Sequence, residues 1–385
     1  MTTSTFRFQS ITAKRFALLA LLCASLAPIC GCGETRISQA STPVPLPPIP
    51  NDDDVLRERI DKAYALTGRR HLVAETNAAW QVVHGILAFG PDLMLDVQGK
   101  PVSALKYLQG GGRLNGWVLI PGDKGLEAPL EAGSKSGQGH EDQWLGYLSL
   151  IGLPGTTPLK VGDRTFTVQD LMTQAMWDIY PGMESTWTLM GLTAYQPEDV
   201  KWKSKDGSDW TIERVVQMEA TQDPSLDLRN SACGGTHRLV GLTVALQRHL
   251  KNGGKLERGW KSGQDRIDTA VQMMKEYQQP DGSFSSDYLR RPNGTADIGN
   301  RIGTTGHTLE FLVLALPNDY ELRSPWVTEA VLRLCDMLEQ TREYDLECGG
   351  LYHAARGLRL YRERRFGSPP PSPEAQAETK PAAAG

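Results

Sequence analysis

Six stretches decide how this chain reads: His84-Gly-Ile-Leu-Ala88-Phe89, His140-Glu-Asp-Gln-Trp144-Leu145, Trp187-Thr-Leu-Met-Gly191-Leu192, His237-Arg-Leu-Val-Gly241-Leu242, His307-Thr-Leu-Glu-Phe311-Leu312 and His353-Ala-Ala-Arg-Gly357-Leu358. Each holds His, three residues, a small or aromatic residue and then an apolar one; only the third replaces His, with Trp187. Successive copies start roughly 46 to 70 residues apart, the length of a helical hairpin with its loops.

Each stretch opens an apolar helix, as in Leu239 to Leu246, or Leu309 to Leu316 before Pro317. A helix hydrophobic almost all round is a buried one. Each is preceded by a more amphipathic segment: Val55 to Leu66, Val102 to Leu108, Val168 to Ile179, Trp210 to Ala220, Gln264 to Tyr277 and Pro325 to Gln340. In the last of these, Val327, Ala330, Val331, Leu334 and Leu338 form one stripe, while Glu329, Arg333, Asp336 and Glu339 face water. No strand-like alternation of useful length interrupts the pattern. Outer amphipathic helices alternating with buried inner ones, six times over, predict an all-α fold, an (α/α)6 toroid. An open solenoid would expose both ends and want polar capping repeats, which are absent from the sequence.

The domain spans roughly 55–367 of the 385 residues. Ahead of it, Arg7, Lys14 and Arg15 form a positive region and Phe16 to Pro28 a short apolar one, the plan of an export signal over residues 1–31. It ends in Ile29-Cys30-Gly31-Cys32, which resembles the bacterial lipobox, so Cys32 is expected to be lipidated and to anchor the protein in a membrane of the envelope. Residues 32–54, rich in Pro, read as a tether, and 368–385 as a tail with too little apolar content to fold. With a net charge of -4, composition gives no support for a nucleic-acid partner.

At Tyr277-Gln278-Gln279-Pro280-Asp281-Gly282-Ser283-Phe284 the chain resembles the Gln-x-x-Asp-Gly-Ser-aromatic repeat of squalene and hopene cyclases, whose toroid is shared by protein prenyltransferase β subunits. The resemblance implies the toroid, with the motif joining an outer to an inner helix. The Gln would bond carbonyls at a helix end, Asp-Gly would make the turn, and the aromatic would plug the gap between hairpins. The cyclase Asp-x-Asp-Asp is missing: Asn51-Asp52-Asp53-Asp54 lies before the first hairpin and reads as linker or helix start. The prenyltransferase zinc triad has no counterpart at its spacing.

Five of the seven His occupy one slot of the repeat, so their imidazoles are expected near one mouth of the ring, each in the first turn of its inner helix. Two readings stay open: packing between neighbouring hairpins, or a polar pocket. The expected acid–base group is His140 and His237, with Glu141 and Asp142 beside them. His84, Trp187, His307, Tyr352 and His353 are expected to line the ligand site, with Arg238 and Arg356 holding an anionic group. Cys233-Gly-Gly-Thr-His237 and Cys348-Gly-Gly-Leu-Tyr-His353 look alike, so Cys233, His307 and Cys348 could converge on zinc, or Cys233 and Cys348 could pair as a disulfide. The expected function is chemistry on a glycan or isoprenoid-type substrate near the membrane, with a non-catalytic binding or scaffold module of the envelope as the alternative. Epimerases and lyases on such rings are a fold-level analogy only.

Overall fold

The computed structural model describes residues 53–68, 72–91, 93–131, 133, 136–221 and 227–368. The expected export signal, Cys32, the expected tether up to residue 52 and the tail from residue 369 lie outside the described residues.

The fold is mostly helical. In chain order come α1 (Asp53–Gly68), β1 (Leu72–Val73), α2 (Ala79–Phe89), β2 (Met94–Val97), β3 (Lys100–Ser103), α3 (Ala104–Gln109), β4 (Ile120–Pro121), β5 (Leu126–Glu127) and α4 (Gln143–Ile151). There follow β6 (Pro158–Val161), β7 (Arg164–Thr167), α5 (Val168–Asp178), α6 (Thr186–Tyr195), β8 (Lys201–Lys203), β9 (Asp209–Thr211), α7 (Ile212–Ala220) and α8 (Thr236–Lys251). The last are α9 (Arg258–Glu276), α10 (Ile298–Ala315), the single turn α11 (Asp319–Leu322), α12 (Pro325–Gln340) and α13 (Cys348–Phe366).

Every helix expected from periodicity is present, and Asp53 and Asp54 start α1 as a helix N-terminus favours. The expectation of a strand-free chain is corrected. Antiparallel pairs β2–β3, β6–β7 and β8–β9 each run straight into the following helix. Ser103, Thr167 and Thr211 close each junction as N-caps, accepting from the N–H of Lys106, Asp170 and Arg214. The β2–β3 turn at Gln98-Gly99 has both residues at positive φ, which suits the twist of a tight hairpin. These strands hold only three or four residues, too short for alternation to stand out in the sequence.

Six helices pack in a closed sequence of contacts: α2 on α4, α4 on α6, α6 on α8, α8 on α10, α10 on α13, and α13 back on α2. Helix α1 packs on α12 and α13, so the chain's first and last hairpins meet despite their separation in sequence. In α10, Ile302, Leu309, Phe311, Leu312 and Val313 are all buried, each contributing roughly 1.5–3 kcal/mol from apolar area removed from water.

The small residue of the repeat is explained by close approach. A Cβ on Gly241 would sit 1.9 Å from Thr186 Oγ1 on α6. Just outside the repeat, a Cβ on Gly306 would sit 2.6 Å from the backbone of Ala354, where α10 and α13 touch. The motif at 278–284 works as a clip. Gln278 Nε2 donates to Gly282 O at 2.9 Å and to Trp326 O at 2.7 Å, Gly282 turns at φ 86°, and buried Phe284 meets the Trp326 ring. Asp281 pairs with Arg301 and Arg333, tying α10 and α12 to the turn.

Candidate functional site

The inner helices carry their repeat residues to a common centre. The rings of His84 and His353 lie 5.0 Å apart, His353 and His307 3.8 Å and stacked, His307 and His237 5.3 Å, and His237 and His140 5.7 Å. Trp187 packs 5.3 Å from His237, and Tyr147 4.7 Å from Trp187.

Their placement in the helices differs from the sequence expectation. Only Trp187 and His237 sit in a first helical turn; His84 and His353 lie in the second, His307 in the third, and His140 precedes α4. The imidazoles therefore do not line an open mouth. His84, His237, His307 and His353 are buried, and only His140 keeps noticeable exposure, 15% of its side chain. The reason is that the glycines let the helices close until the rings touch one another.

Each ring has a defined partner. His84 Nδ1–H donates to Trp80 O at 2.6 Å, and the Tyr147 hydroxyl donates to its Nε2 at 2.8 Å. Both nitrogens are thus occupied, and burial drives its pKa down to about 4, so His84 is a neutral packing residue. His307 Nδ1–H donates to Gly303 O at 2.7 Å, and burial lowers its pKa. His353 Nδ1 lies 2.6 Å from Glu310 Oε2, and the same carboxylate pairs with Arg356. His353 Nε2 lies 3.4 Å from His237 Nε2, while His237 Nδ1 is buried with no hydrogen-bond partner. Burial, with the neighbouring imidazoles, holds the pKa values of His237 and His353 far below the usual range.

His140 is the exception. Its Nδ1 lies 3.0 Å from Glu184 Oε2. Burial opposes its protonation, but Glu184 outweighs that, helped by Cys233 and Glu141, and its pKa is raised.

Several expected site residues lie elsewhere. Arg238 is locked in a buried ion pair with Glu219, 2.8 Å, whose carboxylate also accepts from Ser185 N–H and Oγ–H at 2.7 and 3.0 Å. Arg356 is spent on Glu310, so neither arginine is open to an anionic ligand, because each already neutralises a buried carboxylate. Tyr352 packs in the core with its ring 5.7 Å from Phe89. Glu141 and Asp142 face a separate cavity of about 180 Å³, with Leu145, Asp178, Tyr180 and Lys205, which no imidazole of the centre lines. Asp142 there has a left-handed backbone, φ 58°, accepts from Thr188 Oγ1, and has its pKa pushed up to about 7 by burial, with Asp178 and Glu141 adding to it.

Among the described residues no disulfide joins Cys233, Cys335 or Cys348. Cys335 is core on α12, where burial pushes its thiol up to about 12. The expected grouping of Cys233, His307 and Cys348 is corrected in one member: the ligand atoms of Cys233, His237 and His307 lie within 4.8 Å of one another, and Cys348 is not in that group. Cys233 is carried on a tight turn in which Cys233, Gly234 and Gly235 all have positive φ. A Cβ on Gly234 would sit 2.2 Å from Tyr288, which is why this turn needs glycine.

Sequence reasoning missed Glu184, Glu219, Glu310 and Tyr147. Glu310 left a visible signal, a carboxylate three residues after His307 inside an otherwise apolar helix, which is costly to bury unless paired. Glu184 and Glu219 left none, since an isolated Glu near a helix end is ordinary. No protein-family model, curated protein or solved structure matches this chain.

Proposed function

We propose that this is an exported lipoprotein of the cell envelope, anchored through acylated Cys32, whose helical domain is an (α/α)6 toroid performing acid–base chemistry on a hydroxylated, glycan-type substrate. The closed run of contacts among α2, α4, α6, α8, α10 and α13 supports the toroid, and the repeat at 277–284 supports kinship with the terpenoid cyclase and prenyltransferase rings. The observation that carries the chemistry is the His140–Glu184 pair, an imidazole oriented by a carboxylate at 3.0 Å, with a raised pKa and access to solvent. Such a dyad gives and takes protons near neutral pH. A glycan is favoured over an isoprenoid because the ring centre is filled by imidazoles, Tyr147 and Glu310 rather than by an unbroken apolar wall. No helix among the described residues is long and apolar enough to cross a membrane.

The test is incubation of the detergent-solubilised full chain with soluble envelope-glycan fragments, followed by mass spectrometry of products. Wild type converts them, and His140→Gln or Glu184→Gln lowers turnover by about 10²- to 10⁴-fold with the unfolding midpoint unchanged. Binding without turnover would identify a scaffold module instead, and no interaction with any fragment refutes the reading.

A further inference from the structure

We propose that the centre of the ring is a metal site in which Cys233 Sγ, His237 Nδ1 and His307 Nε2 hold a zinc-class divalent ion, with His353 and Glu310 as positioning residues behind His237. The inference goes beyond the His140–Glu184 chemistry, and its readout is metal binding, so either reading can fail without the other.

Four observations converge. First, one ligand atom from each of Cys233, His237 and His307 lies within 4.8 Å of the other two. A tetrahedral zinc, with bonds of about 2.0–2.3 Å, needs ligand atoms about 3.3–3.7 Å apart, so modest side-chain rotations complete the site. Second, His237 is 7% exposed, yet its Nδ1 has no hydrogen-bond partner. A buried, unsatisfied imidazole nitrogen is costly, and an ion would remove that cost.

Third, the hydrogen-bond chain selects the tautomers a metal requires. Glu310, ion-paired with Arg356, accepts from His353 Nδ1–H, leaving the lone pair of His353 on Nε2. That nitrogen accepts from His237 Nε2–H at 3.4 Å, so the lone pair of His237 is on Nδ1, the orphaned atom. In parallel, Nδ1–H of His307 donates to Gly303 O, leaving Nε2 as donor atom to a metal. Ligating histidines are oriented in this way, the second N–H going to a carboxylate, a carbonyl or a relay.

Fourth, the donor set suits the ion. One thiol and two imidazoles, with no carboxylate, are soft to borderline ligands that favour zinc or its d-block neighbours over calcium or magnesium. Three protein ligands leave the fourth position of a tetrahedron for solvent, the arrangement of reactive rather than structural zinc sites.

The experiment uses the purified full chain with reduced thiols, stripped by chelator and titrated with Co²⁺. A single cobalt per chain is expected, with a thiolate-to-cobalt charge-transfer band that Zn²⁺ bleaches on displacement. Cys233→Ser should abolish the band and Cys348→Ser should keep it. His353→Gln should keep the band while weakening cobalt affinity about 10- to 100-fold. X-ray absorption on zinc-loaded wild type needs no variant, and should show one sulfur and at least two imidazole nitrogens at bonding distance. A shell without sulfur, a band that survives Cys233→Ser, or no stoichiometric uptake overturns the proposal.

Discussion

Replacing Asp142 with Asn should stabilise the protein, and only at neutral to alkaline pH. Asp142 sits where α4 begins, half-buried against the cavity, with Asp178 and Glu141 as like-charged neighbours and its carboxylate accepting from Thr188 Oγ1. Its pKa rises from 3.8 to about 7, so the folded state keeps this proton longer than the unfolded chain does. Below pH 4 both states are protonated and the group contributes nothing. As pH climbs from about 4 to 7 the unfolded chain gains from ionising while the folded state does not, and stability falls. Above pH 7 the penalty is complete, on the order of 4 kcal/mol at about 1.4 kcal/mol per pKa unit. Asn removes the charge, can still accept from Thr188, and is among the residues that tolerate the left-handed backbone. Urea unfolding of wild type and Asp142→Asn at pH 4.5, 6 and 8 reads the difference directly. The variant should match wild type to within about 1 kcal/mol at pH 4.5 and exceed it by roughly 2–4 kcal/mol at pH 8. Because all other titrating groups are common to both proteins, their contributions cancel. A gap that does not grow with pH, or a variant less stable at pH 8, would refute the burial argument.

Two further outcomes test the ring and its location. Gly306→Ala forces a methyl to 2.6 Å from the Ala354 backbone and should cost about 1–3 kcal/mol in chemical denaturation, whereas Gly303→Ala on the same helix, with its nearest contact at an ordinary 3.5 Å, should be neutral or slightly stabilising; equal effects would show that α10 and α13 do not depend on this approach. Cys32→Ser should move the protein from the membrane fraction to the soluble exported fraction, and wild type recovered from the cytoplasm with its first residues intact would exclude export.

The helical part of the fold was legible because helix signals are local. Stripes such as Val327, Val331, Leu334 and Leu338 on α12, or Ile302, Leu309 and Val313 on α10, span several turns and need only 3.6-residue periodicity to be recognised. The short strands were not legible for the converse reason. A strand of four residues such as Lys100–Ser103 has too few positions to establish alternation, and its register is set by the Gln98-Gly99 turn and the helix it feeds. The candidate site was half legible. That five His belong together followed from the repeat, but the repeat says nothing of which residue from another hairpin meets each ring.

The sequence by itself therefore determined the order of the longer helices, though not the single turn α11, together with the small residues that let them approach and the shared slot of the five histidines. Only the tertiary structure decided that these imidazoles are packed against one another rather than open at a mouth. It also decided that Arg238 and Arg356 are consumed by Glu219 and Glu310, and that Cys233 meets His237 and His307 rather than Cys348. The physical reason is range. Helix formation is governed by neighbours three and four residues away, whereas the charge state and availability of a buried group depend on partners such as Glu310 and His353, 43 residues apart in the chain and 2.6 Å apart in space.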